Sequence, residues 1–182
     1  MKTDEQLVEA AQKGSEAAFS ELVLRYRERL FRFMITRCRS HADAEDTVQD
    51  AFTNAFRYLH TFNPRWRFST WLYRIAIRNA VRQPAGALQQ VAEPVDDSDP
   101  LQECIVAGDR ENLWLTAKAI LRPDAFSAMW LHYIEEMPVK EISHALDRSL
   151  SWTKVTMLRA RRQLTKEMRR ESVEAAGSKS YG

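Results

Sequence analysis

The sequence predicts an all-α protein made of two small helical domains joined by a flexible acidic linker, the second domain containing a helix-turn-helix. Three observations lead there. Apolar residues recur at helical spacing through both halves of the chain, no stretch sustains a two-residue alternation bounded by turn signals, and five Gly in all leave little hairpin punctuation. Between the halves, residues 84–100, PAGALQQVAEPVDDSDP, hold three of the six prolines and a run of acids, the composition of an extended, solvated linker. The expected division is a domain over 1–83, the linker over 84–100, a domain over 101–171 and a disordered tail over 172–182.

In the first half the spacing predicts helices over about 3–13, 16–39, 43–60 and 69–82. The second is the clearest, with Phe19, Leu22, Val23, Tyr26, Leu30, Phe33 and Met34 on one side. The third buries Ala44, Val48, Ala51, Phe52, Ala55 and Leu59, which leaves Glu45, Asp46, Gln49 and Asp50 facing outward. That acidic face needs a basic partner or water. The fourth buries Leu72, Ile75, Ala76 and Asn79 or Ala80, so Trp71, Arg74, Arg78 and Arg82 align on another face. The loop before it, HTFNPRWRFST, interleaves Phe62, Trp66 and Phe68 with Arg65 and Arg67. Phe62 and Phe68 suit a core cap, whereas Trp66 between two arginines offers an unstacked base a stacking surface and phosphate contacts, each stack worth about 1–3 kcal/mol.

The second half continues with helices over about 101–121, 124–136, 138–146 and 150–171, Pro123 and Pro138 falling at helix starts. The last two are joined by Asp147, Arg148 and Ser149, the turn length of a helix-turn-helix. The final helix buries Thr153, Met157, Ala160 and Leu164 and turns Lys154, Arg159, Arg161 and Arg162 outward. The competing reading of this pair is an ordinary helical hairpin with a solvated basic face.

Charge is high and unevenly placed. The net charge of +2 conceals five Arg and no acid over 65–82, eight Lys or Arg against one Glu over 148–170, and six acids without a base over 84–109. Such local basic footprints point to nucleic acid without making the chain a polycation. Fully extended at about 3.5 Å per residue, the linker reaches at most roughly 60 Å, about 17 base pairs of duplex.

No apolar run approaches the roughly 18 residues of a membrane span, and the start, MKTDEQLVEAAQKG, has no signal-peptide core, so no membrane insertion and a cytoplasmic location are expected. Cys38 and Cys104 stand far apart and outside any CxxC arrangement, which argues against a zinc site or a disulfide framework. Glu45, Asp46 and Asp50 with His41 would be the candidate groups for a metal-dependent nucleic-acid enzyme, but no second cluster completes a coordination sphere. His60, His132 and His144 have no evident partner pattern and read as solvated or structural. No cofactor, catalytic residue or small-molecule substrate is expected.

Taken together, DAEDTVQDAF, the F-x5-F-S-T-W-L-Y-R-I-A run, and V-K-E-I-S-x-x-L followed by R-A-R-x-x-L closely resemble the extracytoplasmic-function group of bacterial sigma factors over about residues 5 to 170. The resemblance implies a two-domain initiation factor that binds the RNA polymerase core at the β′ clamp helices and β flap, recognises −10 and −35 promoter DNA and is held inactive by an anti-sigma factor. It implies core docking by Glu45, Asp46, Gln49 and Asp50. It implies capture of the −10 strand by Phe62, Arg65, Trp66, Arg67, Phe68, Trp71, Tyr73, Arg74, Arg78 and Asn79. It also implies −35 contacts by Trp152, Lys154, Val155, Leu158, Arg159 and Arg162.

The sequence departs from the family pattern in places. Where the family commonly has Asn seven residues after the tryptophan, this chain has Arg78, with Asn79 one later; Arg82, Gln83 and Pro84 replace the usual close of that helix. The common G-T-V-K-S-R reads Ser151, Trp152, Thr153, Lys154, Val155 and Thr156, so Val155 and Leu158 are expected to meet thymine methyls. The rival reading is a stand-alone helix-turn-helix regulator, in which the first half would dimerise or sense a ligand. A regulator has no reason to place Asp46, Gln49 and Asp50 outward beside a basic-aromatic loop.

Overall fold

The computed structural model describes residues 2–80 and 110–178. The expected linker over 84–100, the start of the next helix over 101–109, Arg82, Cys104 and the last four residues lie outside the described residues. The described elements are helical and include no strand. They group into two compact units, one holding the helices up to residue 80 together with Lys140–Arg148, the other holding the described residues over 110–139 and 149–178.

Helix α1 (Asp4–Gln12) starts in a capping box: the Thr3 hydroxyl accepts the Gln6 N–H, and the Gln6 side chain accepts the Thr3 N–H. It ends in a Schellman turn, the Gly14 N–H reaching Ala11 O and the Ser15 N–H reaching Ala10 O, each at 3.0 Å. The turn needs Gly14, whose φ of +96° would strain any other L residue. Ser15 then caps α2 (Glu16–Ile35) by accepting the Ala18 N–H. Thr36, whose hydroxyl donates to Phe33 O at 2.6 Å, closes α2 four residues short of the expected end at 39. Helix α3 (His41–Arg57) begins two residues before the expected start because the Ser40 hydroxyl accepts the Asp43 N–H. A 3-10 turn (Leu59–Thr61) and a short loop lead to α4 (Phe68–Ala80).

The core of this unit is one apolar layer. Leu22, Leu30, Phe33 and Met34 of α2, Ala44, Ala51 and Ala55 of α3, and Leu72, Tyr73 and Ala76 of α4 are all 0% exposed. The small residues of α3 let its backbone approach its neighbours closely. On α4 the buried arc runs through Tyr73 and Ile77, with Ile75 only half-buried, so the expected stripe is rotated by part of a turn. Helix α1 is held on α2 by Leu7 and Val8 and by Asp4, whose carboxylate accepts from Arg25 at 2.8 Å and from the Tyr26 hydroxyl. Burial, reinforced by the Asp4 carboxylate, raises the Tyr26 phenol well above its ordinary value and keeps it a donor.

In the second unit α5 (Arg110–Ile120) and α6 (Pro123–Tyr133) pack on α8 (Leu150–Ser178). Pro123 occupies the first turn of α6, where its missing N–H costs nothing. Leu113, Ala117, Phe126, Met129 and Leu131 are buried, as is the stripe of Thr153, Met157, Ala160 and Leu164 along α8. Helix α8 continues to Ser178, past the expected end at 171, through the helix-compatible run SVEAA. Helix α7 (Val139–Ala145) precedes it in sequence.

Two leucines of α2 test this account. Leu30→Ala, at 0% exposure, should lower unfolding free energy by about 2–5 kcal/mol. Leu24→Ala, at 80% exposure, should change it by less than about 0.5 kcal/mol, read in both cases as the urea midpoint.

Candidate functional site

The acidic side of α3 follows from where its core contacts fall. Ala44, Val48, Ala51, Phe52 and Ala55 are buried, so Glu45, Asp46, Gln49 and Asp50 are all exposed, as the periodicity predicts. Beside them an open groove of about 870 Å³ runs between α2 and α3, with Leu24 and Phe31 on one wall and Asp46, Gln49 and Phe52 on the other. Leu24 is the most exposed large apolar side chain among the described residues, so the groove sets apolar surface beside the acids, with Arg27 also on its lining. Sequence reasoning missed the contribution of α2, because Leu24 falls off the helix's own apolar stripe. His41 lies 3.7 Å from Glu45 on the same exposed side. Among the described residues no group of three or more His, Cys, Asp or Glu side chains is placed to hold a metal ion.

The basic and aromatic side is built by the loop before α4. Asn63 accepts the Arg65 N–H with its side chain at 2.9 Å and the Trp66 N–H with its carbonyl at 3.1 Å, a turn with Pro64 at its second position. This turn sets the Trp66 indole at the surface. Phe68, 3% exposed, packs on Tyr26 at 5.5 Å between ring centroids, while Phe62 sits edge-on to Trp71 at 5.5 Å. Phe68 is thus a cap residue, and Phe62, Trp66 and Trp71, all half-buried, carry the accessible rings. A cleft of about 300 Å³ opens between Val8 and Gln12 of α1 and Phe62 and Trp66 of the loop. No sequence signal pointed to α1 as one of its walls, because that packing joins segments fifty residues apart.

On α4 itself the expected residues divide. Arg65, Arg67 and Arg78 are exposed and Arg74 is half-buried. Tyr73 is 0% exposed and packs on Phe33 with ring centroids 5.2 Å apart, so the expectation that it meets the −10 strand is corrected: it is a core residue here. The reason is that its position adjoins Leu72 and Ala76 on the buried arc. Of the adjacent pair, Arg78 points outward and the Asn79 amide nitrogen is buried.

Residues 140–148 meet this surface. The His144 imidazole lies flat on the Trp66 indole, centroids 4.0 Å apart and planes within 7°. Arg74 Nη1 lies 2.8 Å from His144 Nε2, and its Nη2 donates to Asp147 at 2.7 Å. Arg78 donates to the other Asp147 oxygen at 3.0 Å. Glu141 accepts from the Thr70 hydroxyl and pairs with Arg67 at 3.4 Å. Arg78 above all holds the Asp147 carboxyl below its ordinary range. His144, Glu141 and Asp147 carried no functional signal in the sequence, since their partners lie about seventy residues away.

On α8 the outward residues Lys154, Arg159 and Arg162 are exposed and Trp152 is half-buried. The Ser149 hydroxyl accepts the Trp152 N–H at 3.1 Å and so caps the helix start. Val155 and Leu158 are 6% and 7% exposed, which corrects the expectation that they meet thymine methyls. The apolar arc of α8 is wider than one stripe: Thr153 and Val155 to Leu158 are all buried.

Known proteins resemble this chain in sequence and in fold. Residues 22–84 match the family described as Sigma-70 region 2. The ECF RNA polymerase sigma-E factor of Escherichia coli K12 is 30% identical over 177 residues, covering 87% of this chain and 91% of that protein. The sigma-E factor of Haemophilus influenzae is 29% identical over 177 residues, covering 89% and 93%. Among solved structures, CnrH in complex with the cytosolic domain of CnrY aligns with a TM-score of 0.64 at 22% identity, covering 91% of this chain and 96% of that one, a likeness of fold. With nearly the full length of its relatives spanned and the acidic α3 and aromatic-basic α4 inside the matched region, the chain belongs to the ECF sigma factors of bacterial RNA polymerase.

Proposed function

We propose that the chain is an alternative sigma factor that docks on core polymerase through Glu45, Asp46, Gln49 and Asp50, captures the melted −10 strand with Trp66, Trp71, Arg74 and Arg78, and reads the −35 element with Lys154, Arg159 and Arg162. The observation that carries this reading is the display of two opposite chemistries on adjacent helices: four exposed acidic or amide side chains on α3, and half-exposed indoles flanked by guanidinium groups around α4. Carboxylates do not bind a polyanion, so the acidic face is reserved for a basic protein partner. Indoles and guanidinium groups suit unpaired bases and phosphates.

In this mechanism the protein performs no covalent chemistry and is not an enzyme. Docking fixes geometry, the basic helix holds duplex, and stacking on Trp66 and Trp71 stabilises bases once they leave the duplex. Binding energy therefore shifts the melting equilibrium. The working division is a polymerase-docking and −10 domain over 1–83 and a −35 domain over 101–171. The factor acts in the cytoplasm, in keeping with the lack, among the described residues, of any helix long and apolar enough to cross a membrane. An anti-sigma protein masking it fits the same reading; CnrH, which shares the fold, was solved with the cytosolic domain of CnrY.

Reversing the acidic face tests the docking assignment. Asp46→Arg with Asp50→Arg should leave the circular dichroism spectrum unchanged and abolish binding to purified core polymerase; retained run-off transcription would sink the assignment. On α8, Arg159→Ala should cost about 1–3 kcal/mol at a single −35 position in a promoter library. An equal loss on all promoters would make Arg159 a phosphate contact instead.

A further inference from the structure

We propose that residues Glu141 to Asp147 are a built-in mimic of single-stranded DNA that closes the strand-capture face of the free protein. The inference rests on the reading of Trp66, Arg74 and Arg78 as strand-binding groups, and goes beyond it in assigning α7 an inhibitory role. A melted strand would present a flat base to the indole and phosphates to the guanidinium groups. Residues 141–147 present the same pattern. The His144 ring takes the place of a base, parallel to Trp66 at 4.0 Å. Glu141 and Asp147, one on each side of it in sequence, take the places of two phosphates, on Arg67 and on the Arg74–Arg78 pair. The contacts to Trp66, Arg74 and Arg78 use groups that the strand would need, and the Glu141–Arg67 pair adds a further basic group beside them.

The backbone of the segment supports this assignment. Helix α7 closes in a Schellman turn, the Arg148 N–H reaching Ser143 O at 2.9 Å, with Asp147 in the left-handed position at φ 57°. Glycine is the unstrained residue there. Aspartate at that point aims a carboxylate across the Arg74 and Arg78 guanidinium groups, which a glycine turn would lack.

The contact also has a pH sense. Burial first, then the Arg74 charge, hold the His144 imidazole below its ordinary value of 6.5; Arg78 adds to the effect, while Asp147 and Glu141 oppose it. Arg67 pairs with Glu141, and the Lys140 ammonium lies 6.0 Å from the Trp66 ring centroid, so both add positive charge nearby. A lowered value in the closed form means the contact favours the neutral ring. Its stability is full above the ordinary histidine value and is lost as pH falls through the lowered one.

The test measures affinity of the full-length free protein for a fluorescent, random-sequence pool of short single-stranded DNA. Asn tolerates the left-handed position, so Glu141→Gln with Asp147→Asn should keep the fold and bind about tenfold more tightly, as removing a tax on the competent state requires. The charge-matched control, Glu16→Gln with Glu136→Gln, should change affinity no more than about twofold by general electrostatics. Tightening no greater than the control overturns the proposal. The gap between wild type and the Glu141, Asp147 variant should narrow between about pH 7.5 and about pH 5.5. A gap that holds or widens overturns the role given to the neutral imidazole.

A separate arm follows open-complex formation by holoenzyme carrying Trp66→Ala and Arg78→Ala, on promoters selected from a library. Loss of opening there, with no tightening in the acidic variant, removes the mimic alone. Retained opening removes the strand-capture reading and the mimic with it.

Discussion

The packing of Phe33 against Tyr73, with Leu30, Met34, Leu72 and Ala76 around them, is the interaction on which the first unit depends. It locks α2 to α4 and, with the buried alanine row of α3, fixes the rotation of each helix about its axis. Rotation is what matters for function. A helix turns by about 100° per residue, so shifting the buried arc of α3 by one residue would carry Glu45 or Asp50 toward the core, where an unpaired carboxylate is strongly disfavoured. The apolar layer thus sorts acids to one outer side and indoles with guanidinium groups to another.

Much of this was legible from the order of residues, and the limits follow from range. The α3 stripe and its outward acids appear as predicted because the pattern is local and a helix's own periodicity reports it. The order of the eight described helices is legible for the same reason, with Ser40 and Thr36 moving boundaries by a few residues through side-chain caps. Tyr73 was misplaced because a phenol is at home in a core or on a nucleic acid, and only the detailed rotation of α4 decides. Val155 and Leu158 were misplaced because the apolar arc of α8 spans more than one stripe.

What the sequence could not reveal is association between distant segments. The meeting of His144 with Trp66 joins residues seventy-eight positions apart, and nothing in the VKEISHALD segment marks it as a partner for a tryptophan loop. The same holds for the cleft wall supplied by α1. Resemblance to the sigma factors supplies roles for single faces, whereas contacts such as these depend on the particular side chains of this chain.

Asp147 brings two demands together at one position. The backbone there would relax with glycine, yet only an acidic or amide side chain reaches Arg74 and Arg78. A change to glycine would therefore ease the local backbone while freeing the Arg78 guanidinium and leaving Arg74 on His144 alone, so backbone relief comes with surface availability. On the proposed reading, variation at this one turn sets how readily the factor engages DNA while Trp66, Arg74 and Arg78 stay unchanged.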